Sequence, residues 1–217
     1  PEKLAQHLEK NADVFYWVAG DDPLLTQEAC DTVRLTARAK GFAERKVFFV
    51  DKKEHWQEAL AEANALSLFS ERMLLDIRCA VGKVDAEQIL HYLQNPNPDT
   101  LILLQTPRPD NKSAAKKALE TRCAFVPITP LDNSRFPAWL ADRARQRKLT
   151  IASAALALLV ERTEGNLLAA LQELDKLSLR FGETPVTLEH MESEVSNNAH
   201  YDVFSLNDAL LRGDTTI

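Results

Sequence analysis

Between residue 13 and about residue 130, short apolar runs alternate with longer stretches of helical period, and no other feature constrains the fold of this chain as tightly. The runs are Val14 to Ala19, Val47 to Val50, Met73 to Ile77, Leu101 to Leu104 and Ala124 to Ile128. Each is short and rich in branched or aromatic residues, as strands buried on both faces are. Between them, Leu24 to Lys40, Trp56 to Leu66, Ala86 to Leu93 and Ala114 to Leu119 carry apolar residues at helical spacing. Strands that alternate with helices build a parallel sheet, because each parallel pairing needs a crossover long enough to hold a helix. Five such strands predict a doubly wound α/β domain.

After Pro130 the pattern changes. Pro127, Pro130 and Pro137 punctuate a segment that leads into runs dense in Ala and Leu without strand-like alternation, which marks a domain boundary. Four helices are expected there, over Pro137 to Gln146, Ala152 to Arg162, Leu167 to Arg180 and Leu188 to Val195. Thr150 and Thr187 stand where N-caps belong, and Gly182 lies just past the longest helix, where a glycine ends it. The chain starts without methionine and stops at Thr215-Thr216-Ile217, shortly after an apolar pattern at Phe204, Leu206, Leu210 and Leu211. It is expected to be a fragment of a longer polypeptide.

Charge and cysteine usage narrow the function. A formal charge of -6 and a pI near 5.4 argue against a chain that binds nucleic acid strongly by itself, while leaving a local basic face open. Cys30, Cys79 and Cys123 are far apart and odd in number, and they read as small buried hydrophobes in a reducing compartment. No apolar run approaches the roughly 18 residues that span a bilayer, and the charged start from Pro1 to Asn11 is not signal-like. A cytoplasmic location is expected.

An α/β domain of this kind invites a search for a phosphate-binding loop after the first strand. Such a loop needs glycines for close approach, a lysine on the terminal phosphates and a hydroxyl on Mg²⁺. Here the segment reads Ala19-Gly20-Asp21-Asp22-Pro23-Leu24-Leu25-Thr26, with one glycine, no lysine and two carboxylates where a triphosphate needs positive charge. Repulsion in a partly desolvated pocket would cost on the order of several kcal/mol. Asp21 and Asp22 read instead as helix-entry residues favoured by the macrodipole. An active P-loop-like ATPase with an atypical loop is the rival reading.

The remaining candidates for chemistry are sparse. His7, His55, His91, His190 and His200 form no metal-ligand pair, and no Gly-x-Ser-x-Gly elbow marks a nucleophile. Catalytic residues, metal ligands and cofactors are therefore assigned to none of these positions. Lys112, Lys116 and Lys117, and Arg143, Arg145, Arg147 and Lys148, form two basic runs. A solvated face accounts for both, with weak phosphate contact inside a larger assembly as the alternative. The segment from Ala65 to Arg72 differs, because it joins a helix to a strand yet carries Leu68 and Phe69 between serines and charge. Two readings stand: the pair projects outward as an apolar plug for a partner's pocket, or it seals the helix end onto the sheet.

Three segments, taken in order, resemble one family: Tyr16 to Leu25 at the first strand and its loop, Ser67-Leu68-Phe69 at the turn, and Glu164-Gly165-Asn166-Leu167-Leu168-Ala169 opening the long helix. Together they look like the delta subunits of the bacterial DNA polymerase III clamp loader. The resemblance implies an AAA+ type parallel five-stranded sheet with flanking helices over residues 1–131, a small all-α lid domain over 132–200, and the start of a C-terminal collar domain over 201–217. It implies a decayed nucleotide site and no catalysis by the chain itself. It also assigns Leu68 and Phe69 as the plug that enters a pocket on the beta sliding clamp and helps open the ring, with Ser67 as a flank. ATP would act in the sister gamma/tau and delta prime subunits, joined through the collar, and DNA would be met only in the assembled complex.

Overall fold

The computed structural model describes Leu4 and residues 14–65, 72–109 and 114–199. Ser67, Leu68, Phe69, Lys112 and the segment 201–217 lie outside the described residues. The chain divides into two compact units between Pro130 and Leu131.

The first unit is built on a five-stranded, wholly parallel sheet of β1 (Phe15–Ala19), β2 (Phe42–Val50), β3 (Arg72–Cys79), β4 (Thr100–Thr106) and β5 (Ala124–Pro127). Its order is β2-β3-β4-β1-β5. The crossover from β1 steps to the far edge, whereas the later three step back, so right-handed connections place their helices on opposite faces. Accordingly α1 (Pro23–Ala39) packs Ala29, Cys30, Val33 and Ala37 against Tyr16, Val18, Leu101 and Leu103. On the other face α2 (His55–Asn64), α3 (Ala86–Tyr92) and α4 (Ala114–Glu120) bring Trp56, Ile89, Tyr92 and Leu119 onto Phe15, Trp17, Leu75, Ile77 and Leu104. The buried indoles keep their polar atoms satisfied, with Trp17 donating to the Thr106 hydroxyl at 2.9 Å and Trp56 to the Lys83 carbonyl at 2.8 Å.

β2 corrects the sequence expectation. It begins five residues before Val47 and is an edge strand, not one buried on both faces. Its pairing with β3 shifts between Phe42 and Glu44, and beyond that irregularity Arg45, Val47 and Phe49 share the α1 face. Only Phe42 joins the α1 cluster, so Val47 is 41% and Phe49 66% exposed.

The second unit opens with a 3-10 turn at Asn133–Arg135 and continues through α5 (Phe136–Gln146), α6 (Ser153–Thr163), α7 (Leu167–Phe181) and α8 (Leu188–Ala199). Phe136, Leu140, Leu159, Leu167, Leu171, Leu174, Leu177, Val186 and Met191 are buried. Asn166 caps α7 by accepting from Ala169 N at 3.1 Å, and Gly182 closes it with φ of 56°. The Thr187 hydroxyl accepts from His190 N at the start of α8, as its position predicts. Thr150 does not cap α6, because its carbonyl accepts from Val186 N at 2.8 Å beside an Ile151–Val186 bridge, and the helix starts after Ala152.

Candidate functional site

The C-terminal ends of parallel strands are where α/β sheets hold ligands. There the β1–α1 loop borders a cleft of about 880 Å³ lined by Gly20, Asp22, Thr26, Phe49, Arg78 and Gln105, among others. The loop's own carboxylate already takes one of the leading amides of α1. Asp22 Oδ1 accepts from Leu25 N at 2.8 Å, the Asp22 carbonyl accepts from Thr26 N at 3.1 Å, and Pro23 has no N–H to offer. An arriving anion would have to displace the Asp22 carboxylate from the helix N-terminus. Asp21 has a different task from the one expected, since it accepts from Arg108 N at 3.0 Å and fastens the loop to the chain after β4.

Gly20 is present for packing. Its N–H donates to the Thr106 carbonyl at 3.1 Å, and a Cβ on it would lie 2.4 Å from Ile128 Cβ. The close backbone approach that a glycine permits here is to the end of β5.

Sequence reasoning missed a buried charge cluster on the α1 face. Asp76, wholly buried on β3, accepts through Oδ2 from Arg34 Nε at 2.9 Å and Arg45 Nε at 3.0 Å. Arg34 also pairs with Asp31 at 2.6 Å. The one signal was a carboxylate inside the apolar run Met73 to Ile77. The cluster ties α1 to both edge-side strands, but it opens onto no cleft described above.

The turn expected to carry Ser67, Leu68 and Phe69 lies outside the described residues, and its two ends do not. On one side Asn97 Nδ2 donates to the Ala63 carbonyl at 3.1 Å, fixing the last turn of α2. On the other, Arg72 donates to the Lys40 carbonyl at 2.9 Å and stands 4.0 Å above the Phe42 ring, while Met73 N donates to the Asp99 carbonyl at 2.8 Å. Both ends are thus held by side chains and backbone of the sheet's N-terminal edge.

The basic run on α5 is largely engaged within its own unit. Arg145 pairs with Asp142, Arg147 Nε with Asp175 at 2.6 Å, and Arg143 lies over the Trp139 ring. His55 pairs with Asp51 at 3.0 Å and His190 stacks on Phe181. Among the described residues, no group of three or more His, Cys, Asp or Glu side chains converges as a metal site, and no helix is long and apolar enough to cross a membrane. Burial pushes the thiols of Cys30 and Cys79 up to about 11, which makes them inert packing groups at neutral pH.

Comparison with known proteins places these features in a family context. The family described as DNA polymerase III, delta subunit, matches residues 16–128. DNA polymerase III subunit delta of Escherichia coli K12 is 33% identical, over 98% of this chain and 64% of its own length. The Haemophilus influenzae subunit delta is 26% identical, again over 98% of this chain and 64% of its length. The chain therefore spans somewhat less than two thirds of these curated relatives. Among solved structures, the Bacillus subtilis DNA clamp loader delta protein superposes with a TM-score of 0.62 at 20% identity, over 98% of this chain and 72% of that one. A RuvB variant of Thermotoga maritima gives 0.51 at 14% identity, over 88% and 67% respectively.

Proposed function

This chain belongs to the DNA polymerase III delta-subunit family, and from that premise we propose that it binds the beta sliding clamp through Ser67, Leu68 and Phe69 and favours the open ring without chemistry of its own. Its five-stranded parallel sheet with flanking helices is of AAA+ type, similar in fold to the clamp loader delta and RuvB structures. The observation that supports the reading is that the described residues on either side of the turn, Ala63 and Arg72, are each tied by a hydrogen bond to the rest of the first unit. Presentation from fixed ends lowers the ordering cost that a plug would otherwise meet on binding.

Ring opening on this reading is differential binding. The plug fits the open interface better than the closed one, and only that difference in affinity shifts the ring. ATP then acts in the sister gamma/tau and delta prime subunits, where it exposes or hides this surface. The β1–α1 loop supports that division of labour: Asp22 takes Leu25 N and Pro23 has no N–H, so α1 offers a triphosphate fewer amides and an adjacent carboxylate.

The test is binding of the cognate clamp to the chain and to a Leu68→Ala, Phe69→Ala double variant with its Tm checked. Loss of two such anchors is expected to weaken binding by about 2 kcal/mol or more, roughly thirtyfold, at unchanged Tm. Unchanged affinity refutes the assignment, and a fall in Tm assigns the pair to the core. The rival ATPase reading predicts that ATP with Mg²⁺ raises Tm; no shift is expected.

A further inference from the structure

The chain on either side of residues 66–71 is held by one short loop between α3 and β4. Asn97 of that loop donates from Nδ2 to the Ala63 carbonyl at 3.1 Å and accepts on Oδ1 from Asp99 N at 3.0 Å. Because Oδ1 is taken up by an N–H, the amide nitrogen is the group that faces α2. The Ala63 carbonyl is among the last of α2, which lack partners inside the helix. Beyond residue 71, Arg72 Nη2 donates to the Pro98 carbonyl at 3.4 Å, its Nε stands 3.9 Å from the Asp99 carboxylate, and Met73 N donates to the Asp99 carbonyl at 2.8 Å. Residues 97–99 therefore hold both ends, and Pro96 and Pro98 on either side of Asn97 restrict the backbone that does so. The apolar contacts of Trp56, Ala59 and Ala63 with the core fix no direction along α2, whereas a hydrogen bond is directional. The Lys46–Glu62 pair at 2.5 Å joins the same end of α2 to β2, but across a half-exposed surface where ion pairs contribute little.

We propose that Asn97 and Arg72 are positioning residues of the clamp-binding turn: Asn97 sets where the chain leaves α2, Arg72 sets where it enters β3, and both are fixed to the loop 97–99. The assignment rests on the clamp-binding reading of Leu68 and Phe69 and extends it to residues that do not themselves enter the clamp. Its physical content is preorganisation. A segment with fixed ends samples fewer conformations, so a larger fraction of it is competent to bind, and the apparent affinity scales with that fraction. Loosening either end lowers the fraction while leaving the plug's own contacts unaltered.

The experiment is calorimetric titration of the cognate beta clamp with the full-length protein and its variants, at a temperature where each is folded by circular dichroism. Asn97→Ala is expected to weaken binding about fivefold, the contribution of one hydrogen bond. Asn97→Asp should weaken it as much, because it keeps the acceptor for Asp99 N and loses the donor to Ala63. Arg72→Met should weaken it about threefold or more, and Asn95→Ala, at an exposed position in the same loop, should bind as the parent does. In a Leu68→Ala, Phe69→Ala background, or in Leu68→Ala alone where the double variant is too weak to titrate, the effect of Asn97→Ala should vanish or shrink. A direct contact of Asn97 with the clamp would instead add its full loss in either background. Parent-like affinity in Asn97→Ala or Asn97→Asp overturns the proposal, as does additivity with the plug variant. Should Asn97→Ala fail to fold, Arg72→Met decides in the same way. If the plug variant binds as the parent does, the clamp-binding reading fails and the positioning role with it; if the plug variant is weakened and Asn97→Ala is not, only the positioning role fails.

Discussion

Replacing Gly20 by alanine separates a glycine kept for packing from one kept for a phosphate. The added Cβ would fall 2.4 Å from Ile128 Cβ and 3.0 Å from both Ile128 Cγ2 and the Ile128 carbonyl oxygen. Carbon atoms in contact sit about 3.5–4.0 Å apart, so the two chains must separate by roughly 1 Å or more. Neither is free to do so, because Ile128 N donates to the Ala19 carbonyl at 2.8 Å and Gly20 N to the Thr106 carbonyl at 3.1 Å. Overpacking costs about 1–3 kcal/mol and a weakened backbone hydrogen bond about 1 kcal/mol. The expected loss is about 2–4 kcal/mol, read as a lower urea midpoint at constant m-value. Because the nearest atom is the Ile128 Cβ, Ile128→Gly should relieve Gly20→Ala whereas Ile128→Ala should not, giving a coupling of about 1 kcal/mol or more in the double-mutant cycle. Parent-like stability in Gly20→Ala, or additivity with Ile128→Gly, refutes the packing argument.

Two further measurements probe the first unit. Asp76→Ala should cost about 3 kcal/mol in urea unfolding, because it strands Arg34, whose side chain is only 16% exposed. Arg45→Ala should cost less than about 1 kcal/mol, since that side chain is 42% exposed and Arg34 still pairs with Asp76; equal losses would refute the assigned roles. Cys30 and Cys79 ionise near 9 when unfolded and near 11 when folded, so their contribution to stability is full below pH 9 and falls as pH rises toward about 11. A thiol reagent at neutral pH should accordingly reach the half-buried Cys123 first and the other two only on unfolding, and three equal native rates would contradict that.

What the sequence disclosed follows from the range of the interactions involved. The five strands and the helices between them were legible because hydrophobic period is a local property, and the Thr187 and Gly182 caps because capping is decided within a few residues. β2 was read four residues long because Glu44, Arg45 and Lys46 interrupt its apolar pattern. Its nine residues and its exposed Phe49 follow from a place at the sheet edge, and strand order is not written in any one strand. Asp76 was visible as an oddity in an apolar run, but its partner Arg34 lies 42 residues away. The turn at Leu68 and Phe69 gained its role only from family resemblance, since apolar residues in a connection serve a partner and a core equally well on physical grounds.

The β1–α1 loop shows where the two kinds of information meet. Its sequence states what is missing, a lysine and further glycines. Its structure states what stands in their place: Asp22 satisfies Leu25 N, Pro23 removes a donor, Asp21 takes the amide of Arg108, and Gly20 is spent on contact with Ile128. A helix N-terminus needs its leading amides satisfied whether or not a ligand comes, and here the chain supplies the acceptor. Binding a phosphate at Leu25 N would mean breaking the cap that starts α1 and bringing a second anion beside the displaced carboxylate, so the expected outcome is weak nucleotide binding, checked by the absence of a Tm shift with ATP and Mg²⁺.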